Sequence, residues 1–200
     1  MLDTRIRPLI DPTLAAVAAK LTRRGITANQ VTWIGFGLGA LTVPSIWLEW
    51  YLVAFCLLIA NRICDGLDGA IARRTMKTDF GGYLDIVLDF IVYSAVVFGF
   101  CLAQPENAVY GAFLIFSFIA SGTSFLAYAV LAEKRAIKTA ASNEKSFFYL
   151  GGIAEGFETI LALALMSLIP QYFWFIALGF GVICWMSTLG RIIEASRTLR

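Results

Sequence analysis

Six stretches of this chain, at about 29–48, 51–72, 80–103, 107–132, 147–168 and 171–193, are each apolar for close to the length a helix needs to cross a hydrocarbon core, about 20 residues. Lipid offers no partner to backbone N–H and C=O groups, so segments of this kind must be helices that satisfy those groups internally. Mean hydropathy is +0.76 and charged residues make up only 15% of the chain, against about a quarter in soluble domains. The expected fold is therefore an all-α integral membrane protein: six transmembrane helices preceded by a short amphipathic interfacial helix, all in a single domain over 1–200. Residues 1–28 form the cytoplasmic or interfacial segment, 29–193 the six-helix bundle and 194–200 a cytoplasmic tail.

The basic residues orient this bundle. The connections marked "EW", "QPEN" and "PQ" carry no Lys or Arg, and all 16 basic residues fall on the other side. Positive charge concentrates on the cytoplasmic face, so both termini are expected there. The opening "MLDTRIRPLIDP" lacks the apolar run of a secretory signal peptide, so the N-terminus is expected to stay in place. The following "DPTLAAVAAKLTRRG" reads as a helix with Asp11 as cap and Pro12 at its first position. Leu14, Val17, Ala18 and Leu21 share one face, and Lys20, Arg23 and Arg24 would meet headgroups if the helix lies on the membrane. The alternative is a tail helix packed on protein.

The composition also restricts the chemistry. There is no histidine, and the four cysteines, Cys56, Cys64, Cys101 and Cys184, are scattered without a CxxC. That argues against a disulfide framework or a thiolate zinc site. Acid–base chemistry must then fall to Asp, Glu, Lys, Tyr or Cys. No nucleic-acid partner is expected.

Against this background the stretch "NRICDGLDGAIARRTMKTDFGGYLDIVLDF", from Asn61 to Phe90, stands out. Asp65 and Asp68 are three apart in the second span; Asp85 and Asp89 are four apart in the third. Each spacing puts both side chains on one helix face, and a short connection lets the two faces meet. A charge at the bilayer centre costs about 2.5–3.5 kcal/mol on insertion scales. Four carboxylates make sense around a cation, and an all-oxygen cage suits Mg²⁺ or Mn²⁺. The competing reading pairs the aspartates with Arg62, Arg73 and Arg74, merely orienting the helices. Gly66, Gly69, Ala70 and Ala72 leave room for a bulky group or for close helix packing, and Gly81 and Gly82 allow a turn. Arg73 offers a forked donor to phosphate. Together these are the parts of a metal–phosphate site.

The full pattern is D-x-x-D-G-x-x-A-R, seven residues, then G-x-x-x-D-x-x-x-D, carried by Asp65, Asp68, Gly69, Ala72, Arg73, Gly81, Asp85 and Asp89. It resembles the signature of the CDP-alcohol phosphatidyltransferases. The resemblance extends to the six spans, the amphipathic first helix and "ITANQVT" at the start of span one. Ala28 stands where the family often has proline, and the loop from Arg73 to Gly81 is one residue shorter than the commonest form; neither changes the phase within an aspartate pair. In overall pattern the chain looks closest to a bacterial inner-membrane branch.

The resemblance implies metal-dependent transfer of a phosphatidyl group from CDP-diacylglycerol to the hydroxyl of a small alcohol, with release of CMP, in phospholipid biosynthesis. It implies that Asp65, Asp68 and Asp85 bind Mg²⁺ (or Mn²⁺), two ions in all, and that Asp89 completes the metal site and serves as the catalytic base. Gly69 and Ala72 would make space for the cytidine and Arg73 would contact phosphate. Asn29 and Thr32 would help line the nucleotide pocket, although Asn29 could equally cap span one. A homodimer with cytoplasmic active sites is also implied. The acceptor alcohol stays open. Lys134, Arg135, Lys138, Lys145 and Arg191 could hold a phosphorylated acceptor, or could simply be topology signals.

Other polar positions read more blandly. Ser117, Ser121 and Ser124 form a stripe of the kind that marks helix packing. Glu155 and Glu158 could face an acceptor pocket or pair with Lys145 or Arg191. Trp47, Trp50, Tyr51, Tyr172 and Trp174 suit an outer-interface belt. Two alternative functions also use membrane carboxylates: an intramembrane Mg²⁺-dependent prenyltransferase, and an ion or proton transporter.

Overall fold

The computed structural model describes residues 3–134 and 156–199. The regular elements among them are helices: α1 (Asp3–Arg23), α2 (Ala28–Ala40), α3 (Thr42–Trp47), α4 (Tyr51–Arg74), α5 (Asp79–Ala103), α6 (Ala108–Lys134), α7 (Gly156–Leu168) and α8 (Phe173–Thr198). Single 3₁₀ turns, Pro105–Asn107 and Pro170–Tyr172, lead into α6 and α8.

Three helical stretches are long and apolar enough to cross a membrane: Asp79–Ala103, Pro105–Lys134 and Pro170–Thr198, with mean hydropathies of 2.3, 1.9 and 1.7. They make this a membrane protein. The other expected spans are less regular. α4 has the length, at 24 residues, but carries Arg62, Asp65, Asp68, Arg73 and Arg74. The first expected span is broken into α2 and α3 around Leu41. Pro44 explains the break, because it has no N–H to offer the carbonyl of Ala40. Thr42 Oγ1 caps the interruption by donating to Gly39 O at 2.6 Å. α7 is a shorter apolar helix within the described residues.

α1 corrects one sequence expectation. It begins at Asp3, so Asp11 and Pro12 lie within the helix instead of starting it. The φ of proline matches a helix, and its cost there is a lost backbone hydrogen bond. At the other end Gly25 adopts φ +76°, the left-handed region open to glycine, and Ile26 N–H donates back to Leu21 O at 3.1 Å. Of the expected apolar face, Leu14, Ala18 and Leu21 are turned on protein, while Val17 is exposed. Ala18 is fully buried, and Leu14 and Leu21 pack with it against a cluster that includes Val31, Ala70 and Ile71. Lys20, Arg23 and Arg24 are exposed.

The main core lies towards the far ends of the helices from the aspartates. Val96, Val97 and Phe100 of α5 meet Leu114 of α6, Leu163 and Met166 of α7, and Phe173 and Ala177 of α8. Tyr51, Phe100 and Phe173 stack in sequence, with ring centroids 5.9 and 4.8 Å apart.

Around the site the helices meet through small residues instead. Lipid tails are as apolar as leucine, so helix association in a membrane depends on close packing. Gly39 of α2 faces α4 and α5, and a Cβ placed there would lie 2.6 Å from Val92 Cγ2 and 3.2 Å from Asn61 Nδ2. Gly39→Ala is expected to destabilise the protein by about 1–3 kcal/mol through overpacking. In detergent that lowers the thermal midpoint by about 2–4 °C per kcal/mol; an unchanged midpoint would mean that Val92 yields without cost.

Candidate active site

α2 and α3 pack against both α4 and α5, and those two helices touch each other far less. This leaves the aspartate-bearing faces of α4 and α5 looking across a gap. Thr78 starts α5 by accepting the Gly81 N–H at 3.0 Å. The last turns of α4 and the first turns of α5 then frame a cleft of about 480 Å³.

Three of the four aspartates converge where this cleft meets a smaller recess. One carboxylate oxygen from each of Asp65, Asp68 and Asp85 lies within 4.8 Å of the other two. Asp68 is the buried member, and Thr32 Oγ1 donates to its Oδ2 at 2.6 Å. Asp65 is half-buried and Asp85 exposed, so the cluster opens towards the cleft. Hard oxygen donors at this separation, without nitrogen or sulfur, fit Mg²⁺ or Mn²⁺.

The cleft wall contains Asn29, Thr32, Gly69, Ala72 and Arg73, together with Asp68, Gly81 and Asp85. Asn29 is not the helix cap. Thr27 caps α2 in a reciprocal box with Gln30, the two bonds measuring 2.9 and 3.3 Å. That leaves Asn29 in the first turn, with its Oδ1 3.2 Å from where a Cβ on Gly81 would stand. Gly81 therefore permits a close approach of α2 to the start of α5. The two glycines beside Asp68 do different things: Gly66 receives Leu14 of α1, and Gly69 faces the cleft beside the Arg73 guanidinium. Sequence reasoning missed Met76, Lys77, Thr78 and Asp79, which complete the cleft wall. Their signal was only their place in the short connection between two aspartate helices.

Asp89 sits apart. It lines a small recess with Asn61, Arg62 and Asp65, which meets the larger cleft at Thr32, Asp68 and Asp85. Arg62 grips it with both terminal nitrogens, Nη1 donating to Oδ2 at 3.0 Å and Nη2 to Oδ1. Tyr93 Oη also donates to Oδ2, at 2.8 Å. Pairing of aspartates with nearby arginines thus holds for Arg62, which also lies 3.6 Å from Asp65 Oδ2. Arg73 and Arg74 are exposed at the end of α4.

The basic residues expected at an acceptor site divide. Arg191 is buried between α6 and α8, and its Nη1 donates to Ser121 O and Ser121 Oγ, both at 3.0 Å. The serine stripe thus serves helix packing at Ser121, and at Ser117, which is fully buried with its Oγ 3.1 Å from where a Cβ on Gly181 of α8 would stand. Lys134 ends α6. Arg135, Lys138, Lys145 and Glu155 lie outside the described residues, and Glu158 is half-buried in the first turn of α7.

A family model described as CDP-alcohol phosphatidyltransferase matches residues 25–193. The chain belongs to this family. It is 48% identical over 201 residues to "Inner membrane protein YnjF" from Escherichia coli, covering 100% of this chain and 98% of that protein. It is 30% identical over 202 residues to "Archaetidylinositol phosphate synthase" from Pyrococcus horikoshii, covering 98% of this chain and 97% of the relative. A third relative, "Bifunctional IPC transferase and DIPP synthase" from Archaeoglobus fulgidus, is 34% identical over 92 residues, 46% of this chain and 19% of its own. The protein is thus a membrane phosphotransferase of the CDP-alcohol type, which moves a phosphatidyl-type group to an alcohol acceptor. The family is generally dependent on divalent metal, and the carboxylate cluster offers such an ion a place.

Proposed function

We propose that this phosphatidyltransferase takes CDP-diacylglycerol as donor, transfers its phosphatidyl group to a small alcohol and releases CMP at the cytoplasmic face of a bacterial inner membrane. The observation that carries this reading is that the cleft lined by Asn29, Gly69, Ala72 and Arg73 also holds Asp68 and Asp85, two of the three carboxylates whose oxygens cluster with that of Asp65. A six-span bundle with both termini cytoplasmic would open that cleft to the cytoplasmic surface, and a homodimer would place one cleft in each subunit. The family match leaves the prenyltransferase and transporter alternatives without support.

Asp65, Asp68 and Asp85 would hold divalent ions, which when bound supply positive charge against the diphosphate and the leaving CMP. The small side chains at Gly69 and Ala72 leave space for the nucleotide, and the Arg73 guanidinium offers paired donors to phosphate. Asp89 takes the proton of the acceptor hydroxyl. The hydroxyl oxygen bonds to the β-phosphorus, the bond from that phosphorus to the bridging oxygen breaks, and CMP leaves with its electron pair.

The name of the Pyrococcus relative supports a phosphorylated polyol as acceptor. Lys134, Arg135, Lys138 and Lys145 would then hold the second anion by charge-assisted hydrogen bonds. Arg191, already engaged with Ser121, would serve by fixing α6 to α8. The test is to incubate purified protein with CDP-diacylglycerol, Mg²⁺ and a panel of free and phosphorylated alcohols, and to follow CMP release and the lipid product. CMP release with at least one acceptor supports the transfer, and none with any acceptor would count against this donor. Gln substitutions at these four basic positions are expected to raise the acceptor KM with little change in the CDP-lipid KM, because uniform acceptor binding is lost. If acceptor KM is unmoved in all four, an uncharged alcohol becomes the better assignment.

A further inference from the structure

The seam between α2 and α4 is pinned at two polar points. On α2, Thr32, Gly35 and Gly39 share one face, and on α4 so do Asn61, Cys64 and Asp68. A Cβ on Gly35 would stand 2.8 Å from Cys64 Cβ, and one on Gly39 would stand 3.2 Å from Asn61 Nδ2. Two glycines four residues apart thus bring the helices close, and a hydrogen bond stands on either side of the Gly35–Cys64 contact. Asn61 Nδ2 donates to Gly35 O at 2.9 Å, and Thr32 Oγ1 donates to Asp68 Oδ2 at 2.6 Å. Asn61 is 4% exposed, and its Oδ1 accepts the Arg62 Nε–H at 2.8 Å. Its amide can face only one way, because a guanidinium only donates and a backbone carbonyl only accepts. Arg62 in turn holds Asp89. One neutral side chain is therefore joined to both ends of the carboxylate group, to Asp68 by way of α2 and to Asp89 by way of Arg62.

We propose that Asn61 is a positioning residue that sets the register of α2 against α4, and through it the place of Asp68 in the metal site and of Asn29 in the nucleotide wall. The inference rests on Asp68 being a metal ligand and on the cleft taking the nucleotide. The two walls of that cleft belong to different helices: α2 carries Asn29 and Thr32, and α4 carries Asp68, Gly69, Ala72 and Arg73. A slide by one residue moves a helix about 1.5 Å along its axis, which would part both bonds of the seam and draw Thr32 off Asp68. Asn61 lines the smaller recess and not the cleft, so its influence on the nucleotide wall passes through α2.

The test uses purified full-length protein carrying Asn61→Leu, Thr32→Val or both, with Mn²⁺ binding to the substrate-free protein read by electron paramagnetic resonance beside steady-state kinetics. Leu keeps the branched shape of Asn61 and makes neither of its bonds, and Val does the same for Thr32. Each single change is expected to weaken Mn²⁺ binding by at least about tenfold, the lower range for loss of a group that orients a metal ligand. The double variant should be within about threefold of the weaker single, because both changes act on the one Thr32–Asp68 contact; independent sites would multiply to about a hundredfold. Asn61→Leu should also raise the CDP-lipid KM, although Asn61 does not line the cleft. Should Asn61→Leu not fold, Gly35→Ala opens the same seam and is expected to show the same lack of additivity with Thr32→Val. A seam that only held the fold together would lower the thermal midpoint and leave the Mn²⁺ affinity of the folded protein unmoved. That result, or single effects that multiply, would overturn the proposal. The metal reading fails separately: wild-type protein that binds no Mn²⁺ would sink it, while the CDP-lipid KM of Asn61→Leu would still decide whether Asn61 sets the register.

Discussion

Asp89→Asn is expected to cut turnover by at least about a hundredfold, the lower range for loss of a general base, while CDP-lipid binding persists in part. The amide keeps the shape of the carboxylate but cannot take a proton. It also presents an N–H₂ group to a fork of donors, so one contact with Arg62 or Tyr93 must be lost. The chain contains no histidine, and the other three aspartates of the site are grouped with their oxygens directed at one another. No nearby group is therefore placed to take over the proton. Single-turnover measurement of CMP release separates the chemical step from binding. Near-normal turnover in this variant would remove Asp89 from the role of base.

Chelation is expected to abolish activity altogether, and Mg²⁺ or Mn²⁺ to restore it. Asp65→Ala, Asp68→Ala and Asp85→Ala should each lower the rate and raise the metal concentration needed for half-maximal activity. The three should differ. Asp68 is buried and its Oδ2 accepts a 2.6 Å bond from Thr32, so its removal also breaks a link between α2 and α4 and leaves a cavity. Asp85 is exposed, and its loss should fall on the metal dependence with less effect on stability. Titration of activity against free Mg²⁺ in each variant checks this, and full activity after exhaustive chelation would defeat the metal cage.

The site was more legible in the sequence than the bundle around it. A helix has a fixed period, so spacings of three and four residues bring Asp65 with Asp68, and Asp85 with Asp89, to one face whatever else the chain does. Spacing cannot say which partner each side chain takes. The frame around Arg62 had a sequence signal: two polar residues, Asn61 and Arg62, within an otherwise apolar span, and Tyr93 four residues beyond Asp89. That signal reads as a network only once α2 is known to lie against α4, which hydropathy does not tell. Helix ends were less legible for a related reason. Pro12 suits the first turn of a helix and is also tolerated within one, so it marked a start for α1 that the backbone does not use. The apolar run over 29–48 gave no sign of the interruption at Leu41, where a single missing N–H, that of Pro44, decides between one helix and two.

Among the described residues, every carboxylate of the site, and every side chain that orients one, comes from α2, α4 and α5, within residues 28–93. α6 and α8 pair chiefly with each other, and Arg191 is spent on that pairing. The molecule is thus divided, with both cavities lined from the first half and the α6–α8 pair standing outside them among the described residues. Substitutions in α6 or α8 reach the carboxylates only through the packing of the bundle, whereas those in α2, α4 and α5 change the cavity walls themselves.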